Sequence, residues 1–213
     1  MVYVYTGTLD LEESLTERMI RTMPPERCAR AGRYRRAKDR CLCILSYQIL
    51  RFAVRQEYGL EQLPEIRLTP RGKPYFANAY CEFNLSHCER GIAVAVSGEK
   101  IGVDLQEPVS FLEDVKTQFL SPVEMQYITE HPHTTLDLLK LWTLKEAYGK
   151  CQGDGLLYPF RETDFLEFLS TDAVCTYDHL YARSLEYKEC VLSIFAARRE
   201  ETEIRDVDLT ALL

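Results

Sequence analysis

The chain has 213 residues, of which 46% are hydrophobic and 28% charged, so it suits one large globular domain or two compact ones. It contains no run of about 18 apolar residues, which argues against a membrane-spanning helix, and its net charge of −7 argues against general nucleic-acid binding. The amino terminus does not have the form of a signal peptide, and the eight cysteines include no Cys-x-x-Cys motif. We therefore expect reduced thiols and a cytoplasmic protein.

The first elements along the chain are a strand and two helices. Residues 2–6 alternate as a strand does, and residues 11–22 are predicted to be helical until Met23-Pro24-Pro25 ends them. A long helix is predicted from about 36 to 58, with Gly59 as its carboxyl-terminal cap. Its apolar face has spacings of three and four and consists of Leu42, Leu45, Ile49, Phe52 and Ala53.

A basic segment overlaps the start of the long helix. Between residues 27 and 40 its local net charge is +6, with Asp39 as the single acid among Arg27, Arg30, Arg33, Arg35, Arg36, Lys38 and Arg40. Such a segment suits an anionic ligand or partner. The alternative interpretation is a solvated basic face at a helix start.

The centre of the chain is predicted to be rich in strands. Residues 83–87 form one candidate strand, and residues 91–97 and 100–106 are predicted to form a hairpin closed by Gly98-Glu99. In the second hairpin strand, Gly102, Asp104 and Gln106 share one face because side chains alternate along a strand. This face presents two oxygen-bearing side chains beside a glycine.

The second half begins with helices and ends with strands. Ser121-Pro122-Val123-Glu124 has the form of a capped helix start. A helix is predicted over about 135–150, and several strands over about 163–198. The order of helix and strands repeats that of the first half. We therefore predict two similar α+β halves with a boundary near residues 100–110.

Asp104, Glu146 and Lys150 are the residues most suited to chemistry. Glu146 and Lys150 are four apart on the second long helix and share a face, and Asp104 lies in an apolar strand where burial without a partner is unfavourable. A bound Mg²⁺ would satisfy both carboxylates. The alternatives are an ordinary exposed Glu–Lys helix pair and a salt bridge of Asp104 at the strand end.

Four motifs occur together in this order: Gly72-Lys-Pro, Phe83-Asn-Leu-Ser-His87, Ile101-Gly-Val-Asp104 and Trp142-Thr-Leu-Lys-Glu146-Ala-Tyr-Gly-Lys150. Taken singly, His87 is also explained as a structural histidine and Lys73 as an exposed lysine. Together the motifs closely resemble those of the 4′-phosphopantetheinyl transferases, in the longer, surfactin-synthetase type. The resemblance spans about residues 25–160, and Asp104 and Glu146 are 42 apart where the family spacing is about 40.

The resemblance implies a fold and a reaction. The fold consists of two pseudo-symmetric α+β halves, each a small antiparallel sheet packed with a long helix, with the active site in the cleft between them. We expect residues 1–105 to form the amino-terminal half and residues 106–213 the carboxyl-terminal half. The reaction moves the phosphopantetheine arm of coenzyme A onto a serine of an acyl or peptidyl carrier protein and releases adenosine 3′,5′-bisphosphate. A monomer is expected, because both halves of the cleft belong to one chain.

The resemblance also implies residue roles. Asp104 and Glu146 are expected to hold Mg²⁺, while Glu146, Lys150 and His87 take part in catalysis. Coenzyme A is expected to contact Arg27, Arg30, Arg40, Cys41, Lys73, Ser86, His87 and Lys150. The family often has a third acidic ligand where this chain has Gln106, so Gln106 is expected to be a weak metal ligand or to hold a metal-bound water. Glu124 matches a glutamate near the family's site, and its capping-box position explains it equally well.

Two other functions are compatible with these residues. One is a magnesium-dependent hydrolase of nucleotide-like pyrophosphates that uses the same carboxylates. The other is a catalytically silent protein that binds coenzyme A or a carrier. The presence of Asp104, Glu146 and Lys150 together argues against loss of activity.

Overall fold

The structure of the protein, a computed structural model, describes residues 1–9, 11–77 and 80–212, without the side chain of Leu156. The α-helices in these residues are α1 (Glu13–Arg21), α2 (Pro25–Gly32), α3 (Ala37–Tyr58), α4 (Leu112–Phe119), α5 (Pro122–Glu130) and α6 (Thr135–Gln152). The strands are β1 (Val2–Thr6), β2 (Ile66–Leu68), β3 (Pro74–Phe76), β4 (Glu82–His87), β5 (Gly91–Ser97), β6 (Ile101–Gln106), β7 (Cys175–Tyr177), β8 (Leu180–Tyr187), β9 (Cys190–Ala196) and β10 (Ile204–Asp206). Short 3₁₀ helices cover Gly155–Leu157, Phe160–Glu162, Leu166–Ser170, Arg199–Thr202 and Leu209–Leu212.

The amino-terminal sheet has the strand order β10-β1-β5-β4 and packs against α3. Strand β5 is antiparallel to both β1 and β4, whereas β10 is parallel to β1. The predicted long helix matches α3, which ends at Gly59 in a left-handed conformation with φ of 66°. The prolines that end the first predicted helix also begin a second one, α2, because proline is favoured in the first helical turn.

The carboxyl-terminal sheet has the order β6-β9-β8-β7 and is antiparallel throughout. It packs against α6, which begins with a capping box between Thr134 and Asp137 and ends at Gly153, whose φ is 92°. In the amino-terminal sheet, β1 precedes the long helix α3 and pairs with β5, which follows it. In the carboxyl-terminal sheet, β6 precedes the long helix α6 and pairs with β9, which follows it. This repeated order bears out the predicted α+β class with two similar halves.

The two sheets pack face to face between α3 and α6. Alternate residues of β5 separate the two environments: Ile92, Val94 and Val96 face the α3 side, and Ala93 and Ala95 face the other sheet. The core between the sheets consists of side chains from β1, β5, β6 and β9, mainly Val2, Val4, Ala93, Ala95, Ile101, Val103, Leu105, Leu192, Ile194 and Ala196. The small alanines allow the sheets to approach closely.

The predicted hairpin between residues 91–97 and 100–106 is wrong. Strand β5 already has a partner on each edge, so it cannot also pair with β6. The residues between β5 and β6 carry the chain across to the other sheet, where β6 pairs with β9 from Ile101↔Ala196 to Gln106↔Val191. Strand β6 thus lies in the carboxyl-terminal sheet and β10 in the amino-terminal sheet, while the boundary between residues 105 and 106 stays a prediction.

Among the described helices, none combines the length and the apolar character needed to cross a membrane.

Candidate active site

A pocket of about 270 Å³ opens where β4, β6 and α6 meet. Strands β4 and β6 belong to different sheets, so the pocket is formed by both halves of the molecule. Six of the predicted site residues line it, together with one apolar and one aromatic side chain: Leu85, Ser86, His87, Asp104, Gln106, Trp142, Glu146 and Lys150.

Gly102 determines how closely α6 approaches β6. A Cβ atom at this position would lie 2.0 Å from the backbone oxygen of Ala147 and 2.5 Å from the backbone nitrogen of Cys151. The helix backbone therefore rests directly on the strand. Because alternate residues of a strand share a face, Asp104 also points toward α6, where it meets Glu146 and Lys150.

Gly102→Ala is expected to lower the free energy of unfolding by about 3 kcal/mol, the upper end of the usual effect of overpacking. Both atoms that the new methyl group would meet at closest range belong to the helix backbone, so the helix itself must shift. Urea unfolding measures the effect. Gly98→Ala is the control, because a Cβ there has no neighbour within 4 Å. Equal stability of the two variants would contradict the close packing.

Asp104 is buried and makes two charge-assisted contacts. Its Oδ1 accepts hydrogen bonds from Lys150 Nζ at 2.6 Å and from Ser86 Oγ at 2.7 Å. Lys150 Nζ lies 3.2 Å from Ser86 Oγ as well. The lysine therefore spans from the helix to the strand, and it is not half of an ordinary exposed Glu–Lys helix pair.

Glu146 lies beside this ion pair with an unsatisfied carboxylate. It is 7% exposed, and its Oε1 is buried without a hydrogen-bond partner among the described residues. Burial first, and then the negative charge of Asp104, raise the pKa of Glu146 to about 7, while Lys150 acts in the opposite direction. Two oxygen-donor carboxylates from different elements suit a hard divalent cation, and the Glu146 carboxylate has one buried oxygen without a partner among the described residues.

The residues of β4 connect the two sheets at the pocket. Asn84 Oδ1 accepts a hydrogen bond from the backbone nitrogen of Val103 at 3.1 Å, which aligns β4 with β6. His87 lies at the mouth, where its ring still reaches solvent. Burial by the surrounding pocket, and then the positive charge of Lys150, lower the pKa of His87. The motif around Ser86 and His87 was recognised in the sequence, but no role was predicted for Asn84.

The start of α3 lies close to the pocket mouth. Lys38 Nζ is 3.3 Å from a carboxylate oxygen of Glu89, which follows β4 by two residues. The charge of Asp39 also acts on His87. This places part of the basic segment beside the histidine.

The other predicted contacts of coenzyme A in this region lie outside the pocket lining. Arg27 on α2 stacks over the ring of Tyr47 at 5.7 Å, and Arg30 is exposed. Arg40 Nη2 donates to the backbone oxygen of Tyr34 at 3.3 Å, and Cys41 is buried. Their contact with a nucleotide stays a prediction.

Lys73 does not line the pocket and lies in the turn between β2 and β3. An ion pair between Arg71 and Asp154 ties this turn to the chain just after α6. The Lys73 side chain lies beside Gly153, 3.9 Å from where a Cβ would be. The Gly-Lys-Pro turn is thus held next to the helix that carries Glu146 and Lys150.

Glu124 lies outside the pocket, in a fully buried network. It completes the predicted capping box with Ser121, and its Oε2 lies 2.8 Å from Lys145 Nζ. The lysine also donates to the backbone oxygens of Phe160 and Thr163, each at 2.8 Å. The structure therefore supports a structural role for Glu124. No role was predicted for Lys145, although it adjoins Glu146 in the helix motif.

The sequence of this chain is similar to that of known enzymes. A family model described as the 4′-phosphopantetheinyl transferase superfamily matches residues 100–196, which include β6 and α6. A 4′-phosphopantetheinyl transferase of Bacillus subtilis is 29% identical over 147 residues, covering 67% of this chain and 66% of the relative. The 4′-phosphopantetheinyl transferase HetI of Nostoc sp. is 30% identical over 165 residues, covering 73% and 70%. The 4′-phosphopantetheinyl transferase Sfp of Bacillus subtilis strain 168 is 25% identical over 154 residues, covering 70% of this chain and 68% of the relative. This chain belongs to the 4′-phosphopantetheinyl transferase superfamily.

Proposed function

We propose that this protein transfers the 4′-phosphopantetheine arm of coenzyme A to a serine of an acyl or peptidyl carrier protein and releases adenosine 3′,5′-bisphosphate. Family membership supports the reaction class. The observation that carries the assignment to this pocket is the convergence of Asp104 and Glu146, from a strand and a helix, beside Lys150. Most of the catalysis of such a transfer comes from positioning and charge neutralisation.

Mg²⁺ is the proposed cofactor, and the residues present fit it. Asp104 and Glu146 supply carboxylate oxygens, and the Oε1 of Glu146 is free of other hydrogen bonds among the described residues. Gln106 lines the same pocket with an uncharged amide oxygen that could serve as a weaker ligand or hold a water. A bound Mg²⁺ would neutralise charge on the pyrophosphate of coenzyme A.

The chain's own groups account for the proton and the charges. The serine hydroxyl forms a bond to the phosphorus that bears the pantetheine arm, and the bond from that phosphorus to the bridging oxygen breaks. Glu146 is proposed to accept the serine proton directly or through a water, because its carboxylate lines the pocket in which the hydroxyl would react. Lys150 and His87 are proposed to contact the departing phosphate.

Mass spectrometry of carrier proteins after incubation with the protein, coenzyme A and Mg²⁺ tests the proposal. We expect a mass gain equal to one phosphopantetheine arm on the carrier serine, and its loss when that serine is replaced by alanine. Rapid release of the bisphosphate from coenzyme A without any carrier would instead show a pyrophosphate hydrolase. Binding of coenzyme A with neither product would show a silent binding protein.

Gln106 is expected to affect the Mg²⁺ concentration that transfer requires, but not to be essential for transfer at saturating Mg²⁺. Gln106→Ala should raise the Mg²⁺ concentration for half-maximal rate by about tenfold, and Gln106→Glu should lower it by adding a charged ligand. The Mg²⁺ dependence of the initial rate is the measurement, with exposed Gln126→Ala as the control. Complete loss of transfer in Gln106→Ala at saturating Mg²⁺ would contradict this role.

We infer further that the protein acts as a monomer, because β4, β6 and α6 of a single chain supply the whole pocket lining. Light scattering of the purified protein tests this. The eight free cysteines support a reducing, cytoplasmic location.

A further inference from the structure

A second cluster of potential ligands lies next to the active-site strands, away from the pocket lining. It consists of Cys88, just after β4, Glu107, just after β6, and Cys190, at the start of β9. One ligand atom from each residue lies within 4.8 Å of the others. The two sulfur atoms are 3.8 Å apart, although the cysteines are 102 positions apart in the chain.

The sulfur separation matches a tetrahedral thiolate site. With Zn–S bonds of about 2.3 Å and tetrahedral angles, two thiolates on one zinc ion lie about 3.8 Å apart. A carboxylate oxygen is an accepted third ligand of zinc, and sites with three protein ligands take a water in the fourth position. The thiols of Cys88 and Cys190 therefore need no rearrangement toward each other to share a cation.

The surroundings also favour a soft cation over a hard one. Cys88 is 8% exposed and Cys190 3% exposed, in the core between the two sheets. Glu107 reaches in from the edge, where its Oε2 accepts a hydrogen bond from the backbone nitrogen of Arg90 at 3.3 Å. The two thiols contact each other, and this contact raises the pKa of Cys88 and lowers that of Cys190.

We propose that Cys88, Cys190 and Glu107 form a binding site for a thiophilic divalent cation of the zinc class. Binding releases one proton from each thiol, and a water completes the coordination. The ion would tie together the ends of three strands from both sheets. Two of these strands place His87 and Gln106 in the pocket, so the cation would stabilise the frame of the active site. The site is separate from the oxygen-donor carboxylates Asp104 and Glu146.

Titration of the reduced full-length protein with Co²⁺ tests the proposal. Cobalt bound by thiolates in a tetrahedral site gives a sulfur-to-metal charge-transfer band and intense visible bands, neither of which an all-oxygen site produces. We expect these bands to saturate at one equivalent of Co²⁺ and to be displaced by Zn²⁺. Zn²⁺ should also raise the melting temperature of the protein.

The variants separate this site from the catalytic one. Cys88→Ser and Cys190→Ser should each lose the charge-transfer band, and Glu107→Gln, which keeps both thiols, should bind Co²⁺ at least about tenfold more weakly. Cys175→Ser is the matched control, because this half-exposed thiol lies outside the cluster. Asp104→Asn should keep the band even if it loses transfer activity. Absence of the band in the reduced wild-type protein, or its persistence in both serine variants, would overturn the proposal.

Discussion

Asp104→Asn and Glu146→Gln are each expected to lower kcat/KM for carrier modification by at least about 1,000-fold, since a metal ion supplies several kcal/mol of charge stabilisation. Both substitutions preserve shape and remove one of the two carboxylate charges in the pocket. The measurement is the initial rate of carrier modification at saturating Mg²⁺. Asp114→Asn, on the exposed side of α4, is the control. Near-normal transfer by Asp104→Asn would refute the proposed metal site.

The free energy of unfolding of Glu146→Gln, compared with that of the wild type, tests the environment of Glu146 independently of transfer activity. The pKa of Glu146 rises from 4.5 to about 7 in the folded protein, chiefly through burial and then through the charge of Asp104. The folded state therefore binds this proton more tightly than the unfolded state does, and stability falls as pH rises between these values. Without Mg²⁺, we expect the wild type to lose stability relative to Glu146→Gln from pH 4.5 to about pH 7, with no further change above.

Chemical unfolding at a series of pH values in the presence of a chelator measures this difference. A loss of activity in Glu146→Gln that is accompanied by equal or greater stability separates a functional role from a folding defect. A variant that is less stable than the wild type at pH 8 would contradict the unfavourable burial of the ionised carboxylate.

Lys145→Met is expected to lower the free energy of unfolding by about 3 to 5 kcal/mol, because it leaves Glu124 as an unpaired buried charge. Both side chains are fully buried. The Lys145 ammonium also donates hydrogen bonds to the backbone oxygens of Phe160 and Thr163. Methionine fills a similar volume, so the lost ion pair and hydrogen bonds dominate the effect. Urea unfolding monitored by circular dichroism measures it.

Lys140→Met is a matched control on the same helix. Lys140 forms an ion pair with Asp172 at 3.0 Å, but Asp172 is 58% exposed and can be solvated when its partner is removed. We expect a change of about 1 kcal/mol or less there. Equal effects of the two lysine substitutions would show that the buried network does not stabilise the fold.

The periodicity of the sequence predicted which face of its own element each central group occupies. Alternation along residues 101–106 predicted that Asp104 faces away from the Ile101–Val103–Leu105 side, and the spacing of four on α6 placed Lys150 beside Glu146. These local patterns survive in the structure because each depends on one element only. The meeting of strand and helix required the family resemblance.

The errors concern relations between elements. The false hairpin arose because neighbouring strands usually pair, whereas β5 has both edges occupied by β1 and β4. Lys145 was overlooked because a lysine in a helix is normally exposed, and its burial depends on Glu124 from another helix. Whether Arg27 and Arg30 contact a nucleotide depends on side-chain positions around a ligand, which no sequence pattern specifies.

The parallel pairing of β1 with β10 joins the beginning and the end of the described chain. Val2 pairs with Ile204 and Val4 with Asp206, so the last strand covers an edge of the amino-terminal sheet. Removal of β10 would leave the backbone groups of β1 open to pairing with another molecule. We therefore expect the two halves to depend on each other in folding. Separate expression of either half would uncover the apolar face that the two sheets share.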